Sequence, residues 1–75
     1  MEIKTIRELR EARGLTQFQL AVMAEVTPST ISNWERGATE PKVSQLRKLA
    51  SILGVSMDLI EVADREEVAE GKRAA

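Results

Sequence analysis

The stretch "LTQFQLAVMAEVTPSTISNWERG", Leu15 to Gly37, contains two helix starts with almost nothing between them. Thr16 and Gln19 have capping-box spacing, in which each side chain satisfies a free backbone N–H at the helix start. Leu15 and Leu20 stand where a hydrophobic staple would close. A second start follows at Thr27, a good N-cap, with Pro28 at the first helical position, where its missing N–H costs nothing. Val26 and Ile31 repeat the staple arrangement. One helix therefore ends near Glu25 and the next opens at Thr27. The turn of about three residues between them has the dimension of a helix-turn-helix.

Outward from this join, Gly14, the Gly37–Pro41 region, Gly54 and Gly71 punctuate the chain. Between them apolar residues recur at three and four, with no sustained alternation, which is helical spacing. Ile3, Ile6 and Leu9 predict a narrow stripe on a first helix ending at Gly14. Val43, Leu46, Leu49, Ala50 and Leu53 predict one face of a fourth helix closed by Gly54. Ser56 is placed to cap a short fifth helix carrying Met57, Leu59 and Ile60. The pattern then decays into "ADREEVAEGKRAA", where Val62, Ala63 and Val68 offer only a thin apolar stripe. The reading is an all-α domain of five short helices over residues 1–62. Residues 63–75 form an acidic C-terminal tail or helical extension, expected on the side away from the third helix.

Composition narrows the chemistry. A chain of 75 residues allows one small core, and with 43% hydrophobic but only 3% aromatic residues that core must be mostly aliphatic. The absence of Cys and His excludes disulfides, thiolate or imidazole metal sites, and Cys or Ser–His catalysis within this chain. The carboxylates are scattered over helix surfaces and no Gly-rich phosphate loop occurs, so neither an enzyme nor a cofactor is predicted. The charged start resembles no signal peptide, and nothing approaches the roughly 20 apolar residues of a membrane span. A soluble cytoplasmic protein without membrane contact is expected. Net charge is −1 overall, but residues 1–54 hold eight basic against six acidic side chains, and residues 55–75 three against six. A faintly basic body thus carries an acidic tail.

The third helix divides by face. Ile31 and Trp34 point to the core with Glu35 beside them, whereas Ser29, Ser32, Asn33 and Arg36 share the opposite face. Short polar side chains near a helix N-terminus fit a B-DNA major groove; Asn pairs with adenine, and Ser donates or accepts at several base edges. Arg36, at the helix end, is placed to meet a phosphate. Thr16 and Gln17, at the start of the second helix, offer free N–H groups and a positive dipole end to a phosphate oxygen. A merely solvated helix would more often show Glu and Lys pairs four apart.

From Ile6 to Ile60 the chain resembles the Cro/C1-type (XRE family) helix-turn-helix. The resemblance rests on "LTQ" opening the second helix, Leu20–Ala21, "TISNWERG" ending the third, and the later "P…L..LA..LGVS". It implies a compact five-helix lambda-repressor-like domain whose second and third helices form the helix-turn-helix. The implied partner is double-stranded DNA, an operator arranged as an inverted repeat and bound by a homodimer. The implied function is sequence-specific transcriptional regulation, as a repressor of prokaryotic or phage type. Carried over by position, the resemblance gives Gln17 a contact to the DNA backbone and to a base, and gives Ser29, Ser32 and Asn33 the bases, with Thr16, Thr27 and Pro28 at the same surface. Arg36, Thr39 and Lys42 would clamp phosphates, and Arg10 would pair with Glu35.

Three departures from the family pattern shape the expectations. Glu25 stands where relatives usually have Gly, so a positive φ there would cost about 1 kcal/mol. Ser29 and Ser32 are shorter than the usual Gln, Arg or Lys, favouring water-mediated or shape-based readout. Glu40 sits where a basic residue would help hold phosphate. Modest affinity, steep salt sensitivity and a need for dimerisation follow. The alternative function is a protein-interaction module on the same fold, an antitoxin or adaptor. Its partner surface would be Phe18 and Val22, four apart on the second helix.

Overall fold

Thr5 opens the first helix. Its hydroxyl accepts from the Glu8 N–H at 3.1 Å, and the Glu8 carboxylate accepts from the Thr5 N–H at 2.9 Å. Two of the donors orphaned at a helix start are thereby satisfied reciprocally. The computed structural model describes residues 2–62. Its elements in chain order are β1 (Lys4–Thr5), α1 (Ile6–Ala12), α2 (Gln17–Ala24), α3 (Pro28–Arg36), α4 (Val43–Leu53), a single 3-10 turn (Met57–Leu59) and β2 (Ile60–Glu61). The expected tail, residues 63–75, lies outside the described residues.

Four helices and a 3-10 turn replace the five helices expected from spacing. The segment after Gly54 is too short to sustain an α-helix, because its chain turns at once into an extended pair with the N-terminus. There β1 and β2 run parallel, Lys4 opposite Ile60 and Thr5 opposite Glu61. Strands of two residues leave no alternation to detect, so this closure was illegible in the sequence. Ser56 does not cap as expected; its hydroxyl bonds to the Asp58 carboxylate instead. Two members of the expected apolar stripes also stand outside the core. Ile3 precedes the Thr5 cap and is exposed, and Val43, the first residue of α4, is exposed as well.

The core is the junction of the four helices. Ile6 and Leu9 of α1 meet Leu20, Ala21 and Ala24 of α2, Ile31 and Trp34 of α3, and Leu49, Ala50 and Leu53 of α4. Trp34 is buried, so the single tryptophan anchors α3 and presents no stacking face to solvent. With about 1.5–3 kcal/mol gained for each large apolar side chain withdrawn from water, Ile31 and Trp34 fix the inner face of α3. The opposite face is left outward by default.

The turn between α2 and α3 has the geometry that the Glu25 departure raised. Glu25 closes α2 in the left-handed region at φ 63°, alone among described non-glycine residues. Behind it the Val26 N–H bonds to the Ala21 carbonyl at 3.0 Å, and the Thr27 hydroxyl accepts from the Thr30 N–H at 3.1 Å. α2 ends and α3 begins within three residues.

Candidate nucleic-acid interface

The outward face of α3 is built by its caps and its core contacts together. Thr27 and Pro28 start the helix, and Gly37 ends it in the left-handed region at φ 79°. Between these ends, Ser29 and Arg36 are exposed, and Ser32 and Asn33 are half-buried. All four project from the side opposite Ile31 and Trp34. The Ser29 N–H has no protein acceptor among the described residues, a free donor at the positive end of the helix dipole.

The start of α2 is similar. Thr16 and Gln19 close a full capping box, Thr16 N–H to Gln19 Oε1 at 2.9 Å and Gln19 N–H to Thr16 Oγ1 at 3.0 Å. The Thr16 hydroxyl is therefore engaged in capping, and the Thr27 hydroxyl likewise, through Thr30. Among the described residues the Gln17 and Phe18 N–H groups lack an acceptor, and these are the donors this helix end can offer an anion. Thr39 and Lys42, exposed in the loop after α3, complete the rim. The Lys42 N–H bonds to Gln45 Oε1 at 2.7 Å, opening α4 and leaving the ammonium outward.

Behind the rim lies a polar network that ties three helices together. Arg10 Nε donates to Glu35 Oε2 at 2.7 Å and Arg10 Nη1 to the Leu15 carbonyl at 2.8 Å. The two side chains are nearly sealed, Arg10 11% exposed and Glu35 5%. Glu35 holds the Arg10 guanidinium above its ordinary pKa, chiefly through the hydrogen bond and against the effect of burial. Gln17 Nε2 also donates to Glu35, at 3.0 Å. Sequence spacing did not point to this third partner, since residues 18 apart reveal nothing about contact. The Gln17 amide is thus turned inward toward Glu35.

Asn33 and Arg36 are not independent either. The Arg36 guanidinium donates to Asn33 Oδ1. The Asn33 carbonyl also receives the Ala38 N–H at 2.9 Å, so the end of α3 is held firmly under this pair.

A different surface carries the apolar residues. Phe18 is 65% exposed and Val22 61% exposed, and with Leu15, Gln19 and Met23 they line a shallow hollow on α2. Met23 was absent from the sequence expectation because it lies one residue beyond the four-residue spacing. Among the described residues no helix is long and apolar enough to cross a membrane, and no cluster of three metal-binding side chains occurs.

Two capped helices across a tight left-handed turn, with an outward polar face on the second, define the motif. The helix-turn-helix family model matches residues 6–60. The chain belongs to the Cro/C1-type helix-turn-helix family. Within that family it is 40% identical over 57 residues to the HTH-type transcriptional regulator DdrOP3 of Deinococcus deserti, covering 75% of this chain and 44% of that one. It is 37% identical over 68 residues to the immunity repressor protein of Bacillus phage phi105, covering 87% and 47%. Its helix-turn-helix fold also matches the clp gene regulator ClgR from C. glutamicum at a TM-score of 0.66 and 28% identity, covering 93% of this chain and 86% of that one. The chain spans about half the length of the curated relatives it matches.

Proposed function

We propose that this chain is a sequence-specific DNA-binding transcriptional regulator, a repressor of prokaryotic or phage type that acts by occupying its operator. The observation that carries the reading is the outward face of α3: Ser29, Ser32, Asn33 and Arg36, short side chains ahead of one guanidinium. An α-helix of this width enters the major groove, and none of these side chains obstructs the approach. Around it the free N–H groups of Gln17 and Phe18, with Thr39 and Lys42, form a rim of phosphate donors. Thr16, Thr27 and Pro28 set the two helix starts that hold this surface in shape. With so few positive charges on the rim, one copy binds weakly, and two copies on an inverted repeat supply the affinity. The kinship to a phage immunity repressor and to transcriptional regulators supports the same reading.

Fluorescence anisotropy with a labelled duplex tests it. Binding is expected to fall steeply with added salt and to be weakened in Asn33→Ala and Arg36→Ala. Equal binding by those variants and the unaltered chain would overturn the assignment of α3.

The second reading is a protein-interaction module. The hollow lined by Phe18, Val22 and Met23 favours it, because these side chains expose apolar surface that DNA contact does not need. A Phe18→Ser variant that keeps its DNA affinity but loses a co-purifying protein would support this reading.

A further inference from the structure

Resting on the reading of α3 as the groove-entering helix, we propose that Arg36 determines which base Asn33 reads. By occupying Asn33 Oδ1 it turns that side chain from a complement of adenine into a complement of guanine.

The major-groove edge of adenine presents an acceptor, N7, beside a donor, the N6 amino group. Asparagine matches both only when its carbonyl oxygen is free to accept while its NH2 donates. In this chain the Arg36 guanidinium donates to that oxygen. An adenine amino group approaching Asn33 would have to share that oxygen with a cation, using its one remaining lone pair with the guanidinium alongside as a competing donor.

Guanine reverses the balance. Its N7 and O6 are both acceptors. The two amide hydrogens of Asn33 Nδ2 face that edge unopposed, and the remaining guanidinium N–H groups add donors and positive charge alongside. Arginine carries five N–H donors and no acceptor, so one bond to Asn33 leaves most of them available. The pair therefore acts as a single head that presents chiefly donors.

Three features of the structure hold the head together. Residues three apart on a helix leave it on the same side, so the two side chains meet without distortion. The backbone beneath them is fixed, since the Asn33 carbonyl accepts from the Ala38 N–H at 2.9 Å and the Thr39 N–H at 3.4 Å. Among the described residues no carboxylate competes for Arg36. Glu35, its neighbour in sequence, faces inward to Arg10 and Gln17.

Selection from a random-sequence duplex DNA pool, run in parallel with the unaltered chain, Asn33→Ala and Arg36→Met, tests this. Both substitutions fall on the outer face of α3, and thermal melting verifies that each variant is folded; Arg36→Ala gives the same readout with a shorter side chain. The position whose preference disappears in Asn33→Ala marks the base under Asn33. There the unaltered chain is expected to prefer guanine over adenine by about tenfold. Arg36→Met is expected to shift that position to adenine and leave the others as they were. Adenine under Asn33 in the unaltered chain would overturn the inference and leave DNA binding by α3 intact. So would an Arg36→Met variant that keeps guanine and binds every sequence more weakly, or an Asn33→Ala variant that changes no position. No enrichment by the unaltered chain, even at low salt, would overturn the DNA reading itself and the inference with it.

Discussion

Arg10 and Glu35 meet at 2.7 Å between α1 and α3, 25 residues apart in sequence and almost closed to solvent. The pair fastens the helix that carries the outward polar face to the helix that opens the domain. Its Glu35 end also receives Gln17 from α2, so one carboxylate is the meeting point of three helices.

Removing one partner leaves the other as a buried charge without compensation. Arg10→Ala and Glu35→Ala are each expected to lower stability by about 3–5 kcal/mol. The double variant Arg10→Met/Glu35→Leu is expected to recover most of that loss, because apolar side chains of similar volume need no partner. Urea denaturation of the three variants measures the difference; equal destabilisation in all three would show that packing, not charge, governs the site.

Glu25 occupies a left-handed backbone position that glycine adopts without strain. Its carboxylate lies 2.5 Å from Lys48 Nζ, but both groups are solvent-facing, and such pairs contribute little. Glu25→Gly is therefore expected to stabilise the fold by about 1 kcal/mol, raising Tm by roughly 4–8 °C. A lower Tm by calorimetry would mean that the Lys48 contact outweighs the backbone strain.

The two helix starts of the motif can be weakened separately. Thr16→Ala and Thr27→Ala each remove a side-chain cap and are expected to cost about 1 kcal/mol. Serine at either position restores the cap, and chemical denaturation of the alanine and serine variants tests whether stability follows the hydroxyl.

These caps were the most legible part of the chain. Thr16–Gln19 and Thr27–Pro28 are local signals, read within four residues, and they located the turn. The inner face of α3 was equally plain, because Ile31 and Trp34 repeat at helical spacing and both are buried. What could not be read depends on contacts between distant segments. The β1–β2 closure joins Lys4 to Ile60, and the Gln17–Glu35 bond joins two helices. Ile3 stands outside α1 for a local reason: the Thr5–Glu8 capping box starts the helix after it, a signal present in "TIRE" but overlaid by the run of apolar spacing. On the candidate interface, residue types pointed to the outward face, but the Asn33–Arg36 bond changes what that face presents and depends on rotamers.

Acid is expected to remove a small, solvent-screened contribution from two exposed carboxylates. Lys48 holds Glu25 below its ordinary pKa, chiefly by a hydrogen bond, and Ser56 does the same for Asp58. A depressed folded-state pKa stabilises above the ordinary carboxylate range and loses that contribution as pH falls through and below it. The pH dependence of Tm in acid is expected to flatten in Glu25→Gln and Asp58→Asn; an unchanged profile would place the acid sensitivity elsewhere.

Phosphate contacts leave a signature of their own in salt. Lys42→Ala keeps the backbone N–H that bonds to Gln45, so α4 should still start normally. The variant is expected to weaken binding to all duplexes alike and to reduce the slope of log K against log salt by about 1. An unchanged slope would remove Lys42 from the DNA rim.

The most direct test of the account is backbone-amide chemical-shift mapping of the isotope-labelled chain during titration with a duplex at low salt. The shifts are expected to concentrate at Gln17 and Phe18, along Ser29 to Arg36, and at Thr39 and Lys42. Shifts confined to α4 and the 3-10 turn, with α3 silent, would contradict it.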